Sequence, residues 1–230
     1  MAAPLENLIV TRTIRTLTAA VAMLAAPLGT ARADIFTFDT FGSFSAFLQA
    51  NGGTIENVLT PGTFTGTTVS GFTNQTNAQV DVRSLNMTTL SVAAANGQAR
   101  FTGAGGADIG TGGFVISLPG GSTFTALAFN LNATAGVTGN VAITVLEPNT
   151  QTTVVNYPLG PGSNFFGTVP VMGQSIQNVT VDGGLSISAL EQVRIGGVNA
   201  SVVPEPSTYM LLGTGLVALG GVAVRRKRQA

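Results

Sequence analysis

The chain has 230 residues, ten basic and ten acidic, for a formal net charge of zero, and it contains no cysteine, histidine or tryptophan. Without histidine or cysteine, Ser-His triads, thiol nucleophiles and ordinary zinc or copper sites are excluded, which leaves carboxylate chemistry and the binding of hard cations. With no disulfide available, stability has to come from packing.

At the N-terminus, Arg12 and Arg15 precede an apolar stretch from Leu17 to Leu28, followed by Ala31-Arg32-Ala33. That order of basic, apolar and small-x-small segments is a secretory signal peptide, with an apolar part too short to stay as an anchor. Cleavage is expected between Ala33 and Asp34, so residues 1–33 are set aside from the fold.

Residues 34–200 are long enough to bury one core and are read as a single exported domain. Eight acidic residues against Arg83, Arg100 and Arg194 leave it at −5, with no lysine. Such a surface has no basic footprint for a phosphate backbone, so nucleic acid is not an expected partner. Phe36 and Phe38 alternate in a first strand. Ser43 to Ala50 reads as a short helix capped by Ser43 or Ser45, with Phe44, Phe47 and Leu48 on one face and Asn51-Gly52-Gly53 ending it. It is expected to plug one end of a barrel-like sandwich.

Beyond Gly53, segments rich in Val, Ile, Thr and Phe recur between Gly, Asn and Pro punctuation, the pattern of an all-β sandwich. Twelve are legible: 54–59, 64–72, 79–83, 88–93, 98–102, 114–118, 123–131, 140–147, 152–157, 165–169, 176–181 and 192–195. That is more than expected, and several early, polar segments are read as loops. Core faces are clearest for Phe114, Ile116 and Leu118, for Leu127, Phe129 and Leu131, and for Val141, Ile143 and Val145. Pro119-Gly120-Gly121-Ser122 and Pro148-Asn149 read as hairpin-type turns between antiparallel neighbours.

Gly103 to Gly113 is a glycine-rich stretch around Asp108. A phosphate loop would need a lysine and a following helix, which are missing, so the stretch is expected to be a surface loop, with a single calcium ion on Asp108 as the alternative. A glycosidase would need two opposed carboxylates, and Glu147 with Glu191 is a conceivable pair, although acids scattered on an exported domain are ordinarily solvated. Sugar stacking would have to use Phe, since Tyr157 is the one tyrosine before the tail. Sequons at Asn74, Asn86, Asn132, Asn178 and Asn199 follow from composition.

The chain is organised around its end. Pro204-Glu205-Pro206 holds an extended segment that cannot enter regular structure. Ser207 to Val224 is uncharged and makes a helix of about 27 Å at ~1.5 Å per residue, enough to span a thin bilayer. Arg225, Arg226, Lys227 and Arg228 then fix the topology, keeping the basic tail in the cytoplasm and everything before the span outside. The expected divisions are 1–33 signal peptide, 34–200 ectodomain, 201–206 motif, 207–224 transmembrane helix and 225–230 basic tail.

Val203-Pro204-Glu205-Pro206, a span containing Gly213, Gly215, Gly220 and Gly221, and a terminal Arg cluster together closely resemble the PEP-CTERM sorting signal of Gram-negative bacteria. The resemblance implies an exported protein, transiently membrane-anchored and processed by exosortase at Pro204, Glu205 and Pro206, then held at the cell surface or released. Such substrates are commonly produced with exopolysaccharide. Upstream, Phe114-Val-Ile-Ser-Leu-Pro, Phe165-Phe166-Gly167 and a last strand bearing Glu191 are similar to jelly-roll or galactose-binding-like β-sandwiches, with Gln192 where such strands often carry Asn. The combined reading is a non-enzymatic surface or biofilm-matrix protein without a cofactor. A carbohydrate-binding module acting on exopolysaccharide is the first alternative and a secreted glycoside hydrolase the second.

Overall fold

The computed structural model describes residues 35–171, 174–182 and 184–199. Fourteen strands and one helix run in the order β1 (Ile35–Phe38), α1 (Phe41–Ala50), β2 (Glu56–Leu59), β3 (Phe64–Gly66), β4 (Thr68–Thr73), β5 (Gln79–Ser84), β6 (Leu90–Ala95), β7 (Gln98–Gly103), β8 (Phe114–Ser117), β9 (Ala126–Ala133), β10 (Gly139–Leu146), β11 (Thr152–Leu159), β12 (Ser163–Pro170), β13 (Asn178–Asp182) and β14 (Ile187–Gly196). Every pairing is antiparallel. All twelve segments read from the sequence carry strand, and none is merely a loop. The segment 64–72 divides in two at Thr67, because β3 pairs with β6 whereas β4 pairs with β5 and β2.

The strands form a nearly closed antiparallel sheet folded into two layers. Layer A runs β1-β12-β9-β14 and continues through β7, β6 and β3; layer B runs β4-β5-β8-β13-β10-β11. β2 is the corner, pairing with β14 in one layer and β4 in the other. β1 and β11 end the main strand path and β3, paired with β6 alone, is a further edge; side chains of β1 and β11, including Thr37, Phe38, Val155 and Tyr157, line a cleft of about 460 Å³. Pro158 on β11 has no N–H to offer a further strand, which blunts that edge.

Alternation explains the core. Phe114 and Ile116, Leu127, Phe129 and Leu131, and Val141, Ile143 and Val145 are all fully buried, together with Phe101, Phe124 and Phe166. Each such side chain contributes about 1.5–3 kcal/mol by leaving water. The hairpin β6–β7 is set by Asn96-Gly97, whose φ values of 50° and 77° give the type I′ twist between Ala95 and Gln98. Pro148-Asn149 lies in the β10–β11 hairpin, as expected. Pro119 to Ser122 does not make a hairpin: it is a 3-10 turn carrying the chain from β8 in layer B to β9 in layer A, so these strands are not neighbours. A short turn of Gly and Pro specifies reversal but not the partner.

The helix does not plug an end. Its N-cap is Thr40, with φ −137° and Oγ1 accepting from Ser43 N at 3.3 Å, rather than Ser43 or Ser45. Asn51 closes it, its side-chain amide donating to Phe47 O at 2.8 Å. Phe44 and Leu48 press onto the outer face of layer A, against Ala126, Ala128, Phe165 and Val169. Small residues on that face let the helix approach. A Cβ at Gly167 would lie 2.7 Å from Phe44 Cδ2, so the Phe165-Phe166-Gly167 run is packing: Phe165 to the helix, Phe166 to the core, Gly167 beneath Phe44.

Candidate functional site

Most sorting residues fall beyond the described chain. Pro204, Glu205 and Pro206, Arg225, Arg226, Lys227 and Arg228, and Ala31, Ala33 and Asp34 all lie outside the described residues, as does the expected transmembrane helix. Among the described residues no helix is long and apolar enough to cross a membrane.

Asp108 sits in the crossing from β7 to β8, exposed, with Oδ2 2.6 Å from Thr134 Oγ1, which is itself 2.9 Å from Ser186 Oγ. The loop is pinned at the next residue: Ile109 is buried, and Gly110 and Ile187 exchange backbone hydrogen bonds of 3.2 and 3.3 Å. Among the described residues no three acidic side chains gather around one point, and calcium asks for six to eight oxygens. Any ion on Asp108 would draw its shell from hydroxyls and backbone carbonyls.

Glu147 and Glu191 are not brought together. Glu147 follows β10 in layer B and is buried, its carboxylate within 3.2 Å of the Gln174 amide. Glu191 lies on β14 in layer A and forms an ion pair with Arg100, Nε to Oε1 at 2.7 Å. Another carboxylate is structural as well: Glu56 accepts from Gln75 N at 2.9 Å, Thr76 N at 2.8 Å and Thr76 Oγ1 at 3.2 Å, tying β2 to the β4–β5 turn. Burial pushes its pKa up, but the bonds from Thr76 and Gln75 outweigh that and hold it below the usual carboxylate value. At the open seam the Tyr157 hydroxyl donates to Phe165 O, and burial, with Asp39 nearby, raises the phenol's pKa.

The most organised polar surface lies on β14. Between Glu191, opposite Asn130, and Arg194, opposite Ala128, the strand carries one residue more than β9, so Gln192 and Val193 together face Phe129. Gln192 takes φ 51°. Without that bulge, Glu191 and Arg194 would point to opposite faces; with it, Leu190, Val193 and Ile195 stay in the core while Glu191 and Arg194 both reach the outer face. The bulge also sits where layer A forks, β7 pairing with Leu190 and Glu191 and β2 with Arg194 and Ile195.

A network fills the fork. Asn130 Nδ2 donates to Gln192 Oε1 at 3.1 Å, Arg194 Nη2 to the same oxygen at 3.3 Å, and Arg194 Nε to Asn57 Oδ1 at 3.1 Å. The Arg194 guanidinium stacks 4.5 Å over the Phe41 ring, and burial pushes its pKa below the ordinary value, though a guanidinium stays charged at neutral pH. Sequence reading marked Glu191 and Gln192 but not the bulge, Arg100 or Asn130. An extra residue in one strand shows only against its partner, and no glycine marks the spot.

This geometry defines an antiparallel β domain with one polar outer face and no paired carboxylates across a cleft among its described residues. Residues 202–228 match the PEP-CTERM protein-sorting motif. The chain thus carries a PEP-CTERM signal, which implies an exported protein sorted by exosortase-type machinery. No curated protein matches the chain. Among solved structures, the enzymatically active domain of tailspike protein 4 of bacteriophage CBA120 is similar at 17% identity and a TM-score of 0.23, covering 73% of this chain and 19% of that one. The chain thus spans less than a fifth of that protein's length.

Proposed function

We propose that this chain is an exported cell-surface or extracellular-matrix protein, associated with exopolysaccharide and not an enzyme, which exosortase processes at its C-terminal signal. The match at residues 202–228 carries the reading. In this account residues 207–224 form a transmembrane helix, Arg225 to Arg228 hold the cytoplasmic side, and Pro204-Glu205-Pro206 is the recognised element. The connections that switch layers at β7–β8 and β8–β9 support a jelly-roll or galactose-binding-like sandwich as the finer fold. Glu205→Ala tests the sorting step, because it leaves hydrophobicity and positive charge untouched. In a host with the processing enzyme, mass spectrometry of the wild type should find a product lacking the span and basic tail, while the variant accumulates at full length. A wild-type product still carrying Tyr209 to Ala230 would sink the proposal.

A second reading, a carbohydrate-binding module, is favoured by the open polar face beside the β14 bulge.

A further inference from the structure

The outer face of layer A has two halves. One lies under α1; the other, across β6, β7 and β14, is open, with Arg100 in its middle. On one side of Arg100 is a concavity of about 140 Å³ lined by Asn96, Gln98, Glu191 and Gln192. On the other is one of about 340 Å³ lined by Thr63, Ser91, Thr102, Gly105 and Gly106. The two share Arg100 and form one shallow groove across the strands. At its β14 end the Phe41–Arg194 stack stands beside Gln192, which bonds to Arg194.

Three side-chain oxygens on or beside this groove, Gln98 Oε1, Asn130 Oδ1 and Asn132 Oδ1, are shielded from solvent and have no hydrogen-bond partner. Buried acceptors left unmade are costly, and side-chain amides can turn to meet a donor. Asn130 and Asn132 alternate onto the same outer face, beside Glu191 and Ala189 of β14. Arg100 spends Nε, one of five donors, on Glu191, and its side chain is 46% exposed.

We propose that this groove binds an extended, uncharged polysaccharide laid across β6, β7 and β14. This deepens the carbohydrate-binding reading and rests on it. Amides that both donate and accept, beside a guanidinium that donates, suit ligands bearing paired hydroxyls. The two charged side chains lining the groove, Arg100 and Glu191, neutralise each other, while Arg194 at its β14 end is engaged by Gln192, Asn57 and the Phe41 ring; an anionic chain would meet the Glu191 carboxylate wherever it approached Arg100. A peptide fits poorly: β7 and β14 are interior strands with no free edge to extend, and the groove offers no large apolar side chain as an anchor pocket. Two shallow concavities in line, meeting at Arg100, suit a polymer that occupies both.

The test uses the full chain in zwitterionic micelles, titrated calorimetrically with cellohexaose, cellobiose and dextran, and with alginate as an anionic comparator. Wild type should bind a neutral polymer, the hexamer at least about tenfold tighter than the dimer. Arg100→Ala and Asn132→Leu should each weaken binding by about tenfold or more, while Thr152→Ala on the distant β11 changes nothing. Melting curves of the variants separate lost binding from lost folding, and the paired variant Arg100→Ala/Glu191→Ala, which keeps the groove neutral, should still bind more weakly than wild type. Preference for alginate, or equal affinity for dimer and hexamer, would overturn the extended neutral ligand while leaving a carbohydrate-binding role standing. Wild-type affinity in every groove variant would place the ligand elsewhere. Absence of any glycan binding would overturn this inference and the carbohydrate-binding reading together, and C-terminal processing, read independently, would be unaffected.

Discussion

Phe44 should be the single side chain that holds α1 to the sheet. It is fully buried, lies 5.6 Å from the Phe38 ring and 6.0 Å from Phe165, and occupies the space that a missing Cβ at Gly167 leaves open. A helix of ten residues is too short to persist by itself, so its order depends on that docking. Phe44→Ala should cost about 3–5 kcal/mol. At about 2–4 °C per kcal/mol for a domain of this size, the melting temperature should fall by about 6–20 °C. Gly167→Ala should cost about 1–3 kcal/mol by overpacking, because its new methyl meets Phe44 at 2.7 Å. The combination decides the matter: with Phe44 truncated, the Gly167→Ala methyl has room, so the double variant should lose markedly less than the sum of the singles. Denaturant titration of the four proteins, with far-ultraviolet circular dichroism reporting the helix, measures this coupling. Additive losses, or a Phe44→Ala variant melting within about 2 °C of wild type, would refute the packing argument.

Glu56→Gln should destabilise by about 1–3 kcal/mol at neutral pH, since a buried carboxylate serving three donors is replaced by a neutral amide. Because the folded Glu56 pKa is lowered, its contribution is present above the ordinary carboxylate range and fades as pH falls through the lowered value; the gap between wild type and variant should therefore close on acidification, and a gap independent of pH would contradict the assignment. If Asp108 holds calcium, millimolar Ca²⁺ should raise the melting temperature and Asp108→Ala should abolish the rise. Identical melting curves with Ca²⁺ and with chelator would remove that site.

Alternation made the core strands readable: Leu127, Phe129 and Leu131 are buried side by side because period-two patterning maps directly onto one sheet face. Thr40 escaped as the cap because Ser43 and Ser45 carry the same chemistry, and only backbone geometry distinguishes them. Pairing was less legible than strand. Pro119 to Ser122 looks like a reversal, but β8 finds β5 and β13, which lie at long sequence distances. The polar groove was least legible of all, since it depends on the register between β14 and three separate partners. The sorting tail was the opposite case: its motif, span and basic end are contiguous, so nothing had to be inferred about folding to recognise it.

The position of β14 bears on the order of events during export. Layer A is assembled from β1 near the front of the exported chain, β9 and β12 in its second half, and β14 at its very end, and β14 supplies the partner for β9, β7 and β2 alike. A chain emerging N-terminus first thus carries an unfinished layer until Ile195 appears, a few residues before the sorting signal. Non-local pairings of this kind close slowly and only when both partners are present. Layer A is in this way completed only as the sorting signal follows its last strand.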